Sequence, residues 1–229
     1  CKGPSYRFEA KEDGTYRVLV YDVYDNPSSD PRASYRLAIR PPAPDFRLLA
    51  YSPAAGDKNK VEVTSPVLRR GGSPAIQISV LRRDGFDGEI EITAEGLPAG
   101  VTCPTVTIAK GDNSATLVLL ADENAERWAG TFQIIGKAEV DGQQLARHAR
   151  GSSLVWGSAN TQSEAPVARL TQDLGLAVIA EETMPASVTL GDGNMLEVKQ
   201  GEKAEVPVKV VRRDGFKEAL KLAVVGLNF

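Results

Sequence analysis

Four oxygen-bearing side chains, Asp22, Asp25, Asn26 and Asp30, fall within one polar loop, and calcium takes such hard oxygen donors. Their spacing departs from the regular EF-hand loop, and Asp and Asn also serve any solvated turn, so calcium site and plain turn are the two readings. No other cofactor is implied. Gly191-Asp192-Gly193-Asn194 reads as a turn. Gly71-Gly72-Ser73-Pro74-Ala75 has a faint likeness to a nucleophile elbow, which needs a strand before it and a helix after. The alternating Ile76 to Val80 that follows reads instead as a strand. A Ser-His-Asp triad has to use His148, the single histidine, which sits between Arg147 and Arg150. With no further candidate for the base, no catalytic residue is assigned. Cys1 and Cys103 are the two cysteines, which gives neither a disulfide framework nor metal-ligand spacing. Tyr16, Tyr21, Tyr24, Tyr35 and Tyr51, with Trp128 and Trp156, form either a sugar-stacking platform or parts of cores, and their exposure decides between the two.

The elements that carry these residues read as strand and turn almost throughout. Ile76-Gln77-Ile78-Ser79-Val80 and Glu89 to Ala94 alternate with period two, so one face of each is expected inside. Thr131 to Val140 continues the pattern into Asp141-Gly142, a dipeptide that tolerates the positive φ of a tight hairpin turn. The expected core is Ile76, Ile78, Val80, Ile90, Ile92, Phe132 and Ile134. The best helical signal, Ala121 to Arg127, is too short for more than a turn or two.

An internal repeat organises the chain. Val80-Leu81-Arg82-Arg83-Asp84-Gly85-Phe86 returns as Val210-Val211-Arg212-Arg213-Asp214-Gly215-Phe216. The same register maps Gly71 onto Gly201, Ile76 and Ile78 onto Val206 and Val208, and Ile90 and Ile92 onto Leu220 and Leu222. One supersecondary unit is used twice. The loop itself has an adhesive reading and a structural one, in which Asp-Gly makes the turn and Phe86 plugs the end of a sandwich. Gly96 to Val101 reads as a corner between strands.

The strand-like Gly14 to Val20 and Tyr35 to Ile39 resemble the closing strands of the bacterial pre-peptidase C-terminal domain. Pro44-Asp45-Phe46, Arg83 to Ile90, Gly96 to Val101 and the Asp141-Gly142 hairpin resemble the immunoglobulin-like repeats that follow such domains in large secreted or surface bacterial proteins. The implied fold is all-β: tandem immunoglobulin-like antiparallel β-sandwich modules, incomplete at both ends. Its expected divisions are 1–42, the end of the pre-peptidase-like sandwich; 43–157, a complete sandwich; 158–185, a linker and connecting strand; and 186–229, the start of a second repeat. Pro41-Pro42-Ala43-Pro44 is the first joint, because proline removes backbone donors and restricts φ.

Composition narrows the functions. With 42% hydrophobic residues and 25% charged, the chain buries a core. A net charge of -3 supplies no global positive field, so nucleic acid is not an expected partner. No apolar run approaches the ~20 residues of a membrane span. The chain begins at Cys1, read either as a boundary within a longer protein or as a lipidated first residue. The expectation is a non-catalytic, extracytoplasmic array acting as spacer, adhesion or presentation segment, with neighbouring modules, and a surface glycan or protein, as partners. The alternatives are a carbohydrate- or calcium-binding module and the accessory region of a secreted peptidase.

Overall fold

Alternating apolar residues pair into sheets once non-local partners are available to cover them. The computed structural model describes residues 6–20, 36–52, 65–156, 167–190, 203, 205–213 and 215–220. The chain divides into two compact units, Cys1–Ala43 and Pro44–Phe229.

In the first unit the described residues form no strand, although alternation at Gly14 to Val20 and at Arg36 to Ile39 suggested two. Val18, Leu19, Val20, Leu37 and Ile39 are all exposed. Two short apolar segments bury too little against each other to offset the entropy of ordering them. Locally, the rings of Phe8 and Tyr16 meet edge-on at 4.8 Å.

The second unit is all strand and turn. Its strands are β1 (Asp45–Tyr51), β2 (Val67–Arg70), β3 (Ala75–Arg83), β4 (Ile90–Glu95), β5 (Val101–Thr102), β6 (Val106–Ile108), β7 (Ser114–Val118) and β8 (Leu120–Ala121). They continue with β9 (Trp128–Val140), β10 (Gln143–His148), β11 (Arg150–Trp156), β12 (Val167–Thr171), β13 (Leu174–Thr183), β14 (Ala186–Leu190) and β15 (Val208–Arg212). One sheet has the order β12-β11-β1-β3-β7 and another the order β2-β13-β9-β4-β6, with β10 also on β9. Their inner faces share one apolar core, the arrangement of a β-sandwich. Phe46, Ile76, Ile78, Ile90, Ile92, Leu117, Leu119, Phe132 and Ile134 are at most 1% exposed within it, and Val80 is also buried. Every residue expected inside is there. No described helix is long and apolar enough to cross a membrane.

The stretch read as linker and connecting strand supplies β12 and β13, which join the two sheets. Its alternation explains why: Leu174, Leu176 and Val178 share one face and are buried, with Leu174 set opposite Phe132 of β9. The short helical signal instead becomes a turn, closed by the Ala125 amide donating to the Asp122 carbonyl at 3.2 Å. Asp141 (φ 50°) and Gly142 (φ 76°) make the expected two-residue hairpin, joining Val140 to its partner Gln143. At Ala149 the chain passes from the β9 sheet to the β1 sheet, held by the Ala149 amide on the Ile134 carbonyl at 2.8 Å. The pair β14 and β15 forms a separate two-stranded sheet. Val188, Val208, Val210 and Val211 remain exposed on it, as does Val206 just before β15.

Candidate functional site

Alternation along β1 sends Phe46, Leu48 and Ala50 inward and leaves Arg47 and Leu49 on the outer face of the sheet. The register sets Arg47 opposite Leu81 and Leu49 opposite Ser79 of β3. On the other side, the parallel pairing of β1 with β11 brings Arg150 beside Leu49. The sheet change at Ala149 delivers Arg147 and His148 to the same place. Together with Gln133, Leu170, Gln172 and Asp173 these residues line a groove of about 970 Å³. Leu49, Leu81 and Leu170 form an apolar floor fringed by Arg47, Arg147, His148 and Arg150.

Charge pairing divides the cations into two sets. Arg147 Nε donates to Asp45 Oδ1 at 2.9 Å, and the same carboxylate oxygen accepts the Phe46 amide at 2.9 Å. Among the described residues the side chains of Arg47, His148 and Arg150 have no hydrogen bond or ion pair, so they face the groove with their donors available. Such a surface can take an acidic or anionic group in high dielectric, where each contact contributes little alone. Ser79 and His148 border the same groove, yet no hydrogen bond joins them, and Asp45 is engaged by Arg147 rather than by the imidazole. A nucleophile, a base and an orienting carboxylate are therefore not brought together here.

A second groove, of about 610 Å³, lies on the outer face of β4, β9 and β10 among Glu89, Glu91, Lys137, Glu139 and Gln144. Cross-strand register sets Glu91 opposite Lys137, which offsets part of its negative charge. Among the described residues no group of three His, Cys, Asp or Glu side chains is arranged to hold a metal ion. Asp22, Asp25, Asn26 and Asp30 lie outside the described residues, as do Asp192 and Asn194. Of the aromatics, Tyr16 is exposed and Tyr51 and Trp128 are half-buried; Tyr21, Tyr24 and Tyr35 lie outside the described residues, and the side chain of Trp156 is not described. The Trp128 indole packs over Gly130, where a Cβ would stand 2.5 Å from Cζ2, which uses one ring face internally. Cys103 is a free thiol whose pKa burial pushes up.

The repeated loop has a clear geometry. Asp84 (φ 52°) and Gly85 (φ 86°) turn the chain, and the Phe86 amide donates to the Arg83 carbonyl at 3.0 Å. Phe86 is buried and stacks on Phe46 with centroids 5.3 Å apart. Arg82 lies over the Phe86 ring at 5.3 Å and donates to the carbonyls of Asp112 at 3.0 Å, Gly88 at 2.6 Å and Ala109 at 3.0 Å. One guanidinium thus ties the loop carbonyl of Gly88 to the Ala109–Asp112 turn at the end of the sandwich. The second copy repeats the core of this arrangement: the Phe216 amide donates to the Arg213 carbonyl at 2.9 Å. Arg212 covers Phe216 at 5.6 Å and donates to the Glu218 carbonyl at 2.6 Å. Glu218 holds the position of Gly88, so a backbone carbonyl replaced in side chain but not in place receives the same donor.

No family model matches this chain, and no curated protein does so either.

Alternation alone points Arg47 outward. The grouping of these side chains escaped the sequence reading because Arg150 reaches Arg47's strand through a parallel pairing about a hundred residues away in the chain, and His148 arrives from the other sheet, for which the local pattern carries no signal.

Proposed function

We propose that the chain is a non-catalytic, extracytoplasmic array of immunoglobulin-like modules that serves as a spacer, adhesion or presentation segment of a larger bacterial secreted or surface protein. The observation that carries this reading is the repeated Arg-Arg-Asp-Gly-Phe segment, in which the bond from the phenylalanine amide to the second arginine's carbonyl, the contact of the first arginine with the ring and its bond to a backbone carbonyl recur in both copies. A ring contact and an arginine-to-carbonyl bond that recur in consecutive units serve the architecture that the units share, whereas a site that turns over a substrate has no need of a second copy. The test is turnover of peptide and glycoside panels by the purified chain. No hydrolysis is expected; hydrolysis that a single substitution abolishes overturns the proposal.

The groove bordered by Arg47, His148 and Arg150 favours a second reading, a binding module for an acidic glycan. Titration with uronate-containing oligosaccharides and with calcium separates the two. Saturable uronate binding lost in both Arg47→Ala and Arg150→Ala supports the binding module, and silence with both ligands removes it.

A further inference from the structure

The two arginines of the repeated loop have different surroundings. Arg212, like Arg82, serves its own loop. Arg213 reaches away from it: one guanidinium nitrogen pairs with the Glu123 carboxylate, and another donates to the Met184 carbonyl at 3.4 Å. Its side chain is 17% exposed, unlike that of Glu123 at 68%, so the arginine is enclosed and its partner is reached from solvent. Arg83, at the matching position of the first copy, has no such side-chain partner among the described residues. The difference comes from the neighbouring sandwich and not from the loop sequence.

The surface that receives Arg213 is built in advance. Only Met184 and Pro185 separate β13 from β14, and proline restricts the backbone at that joint. The Met184 amide donates to the Arg70 carbonyl at 2.9 Å, and the Arg213 amide donates to the Pro185 carbonyl at 2.9 Å. Glu123 sits on the Asp122 to Ala125 turn, which is fastened to the end of β2 twice. The Gly71 amide donates to the Asp122 carbonyl at 3.3 Å, and Arg70 Nε donates to the Ala125 carbonyl at 3.0 Å. Gly71 lies at φ +67°, and a Cβ there would stand 3.0 Å from Arg213 Nη1, so the guanidinium rests against bare backbone.

We propose that Arg213 is a brace that holds the β14–β15 unit at a fixed angle on the preceding sandwich. The second arginine of the loop then stiffens the joint between modules while the first closes its own loop. This rests on the module-array reading above and adds its mechanical consequence: force and orientation pass across the joint through Arg213, Glu123 and the Met184-Pro185 backbone rather than through a loose tether. The receiving surface fits one class of partner, a following unit that presents an arginine directly after a loop-closing arginine.

The experiment uses the whole chain with Cys1→Ser and Cys103→Ser and nitroxides at Glu95→Cys and Thr189→Cys, both exposed positions. A narrow distribution of spin-to-spin distances is expected, broadening in Arg213→Gln and in Glu123→Gln and unchanged in Arg212→Gln. Amide exchange across Val208–Arg212 should accelerate about two- to fivefold in the first two variants, the range of a partly exposed ion pair, while Ile90–Glu95 keeps its protection. A broad distribution in the parent, or an unchanged one in both Arg213→Gln and Glu123→Gln, overturns the brace. Loss of Ile90–Glu95 protection in both variants overturns it also, by placing the two residues in the stability of the sandwich. Substrate turnover would overturn the spacer reading and leave the brace standing.

Discussion

Truncating Arg82 to Ala removes three hydrogen bonds to backbone carbonyls, on Gly88, Ala109 and Asp112, together with the cover over Phe86. Each bond from a charged donor contributes about 1 kcal/mol net when the donor is partly exposed, and the arginine-ring contact about 0.5 to 1 kcal/mol. Water replaces the donors only in part, because the Phe86 ring beneath is buried. The expected cost is therefore about 2 to 4 kcal/mol. Arg82→Lys keeps the charge but presents a compact ammonium that cannot fork to three acceptors, and should recover about a third of the loss. Urea unfolding followed by tryptophan fluorescence and far-UV circular dichroism measures both, provided that the two probes coincide and the slope is unchanged. A loss below about 0.5 kcal/mol for Arg82→Ala would refute the argument that this guanidinium holds the end of the sandwich.

Gly136→Ala places a Cβ 2.5 Å from Leu48 Cδ1 and 3.1 Å from Ile90 Cγ2 and Ile92 Cδ1; overpacking there should cost about 1 to 3 kcal/mol by urea unfolding. Pairing it with Leu48→Ala should cost less than the sum of the two single changes, since the smaller side chain vacates the space the new methyl needs. Cys103, whose pKa burial raises, should alkylate several-fold more slowly in the native chain at pH 9 than in urea, measured by mass spectrometry. The unfolded thiol ionises first, so its contribution to stability is fully present below the unfolded pKa of about 8.5 and is lost as pH rises through the folded value.

The core was legible in the sequence because period-two alternation assigns a face to every residue of a strand. Ile76, Ile78, Ile90, Ile92, Phe132 and Ile134 needed no knowledge of their partners to be placed inside. Asp141-Gly142 was legible for a similar local reason, positive φ at two consecutive positions. The repeated loop was visible as a repeat, and its turn and buried phenylalanine followed from Asp-Gly and an apolar ring. Local pattern failed where pairing is distant. Gly14 to Val20 alternates as well as β1 does, yet it forms no strand and leaves Val18 and Leu19 exposed. Alternation states which face would be buried and not whether anything covers it.

What the sequence by itself determined is the set of inward faces and the turns, which rest on neighbours within a few residues, and the recurrence of one loop, which rests on a repeated string. Tertiary structure alone decided that Leu174, Leu176 and Val178 complete a sandwich instead of linking two. It also brought Arg150 beside Leu49, and separated two arginines adjacent in the chain, one turned to its own loop and one to Glu123. Each of these depends on which strand lies next to which, a choice made by the summed burial of distant segments that no window of sequence contains.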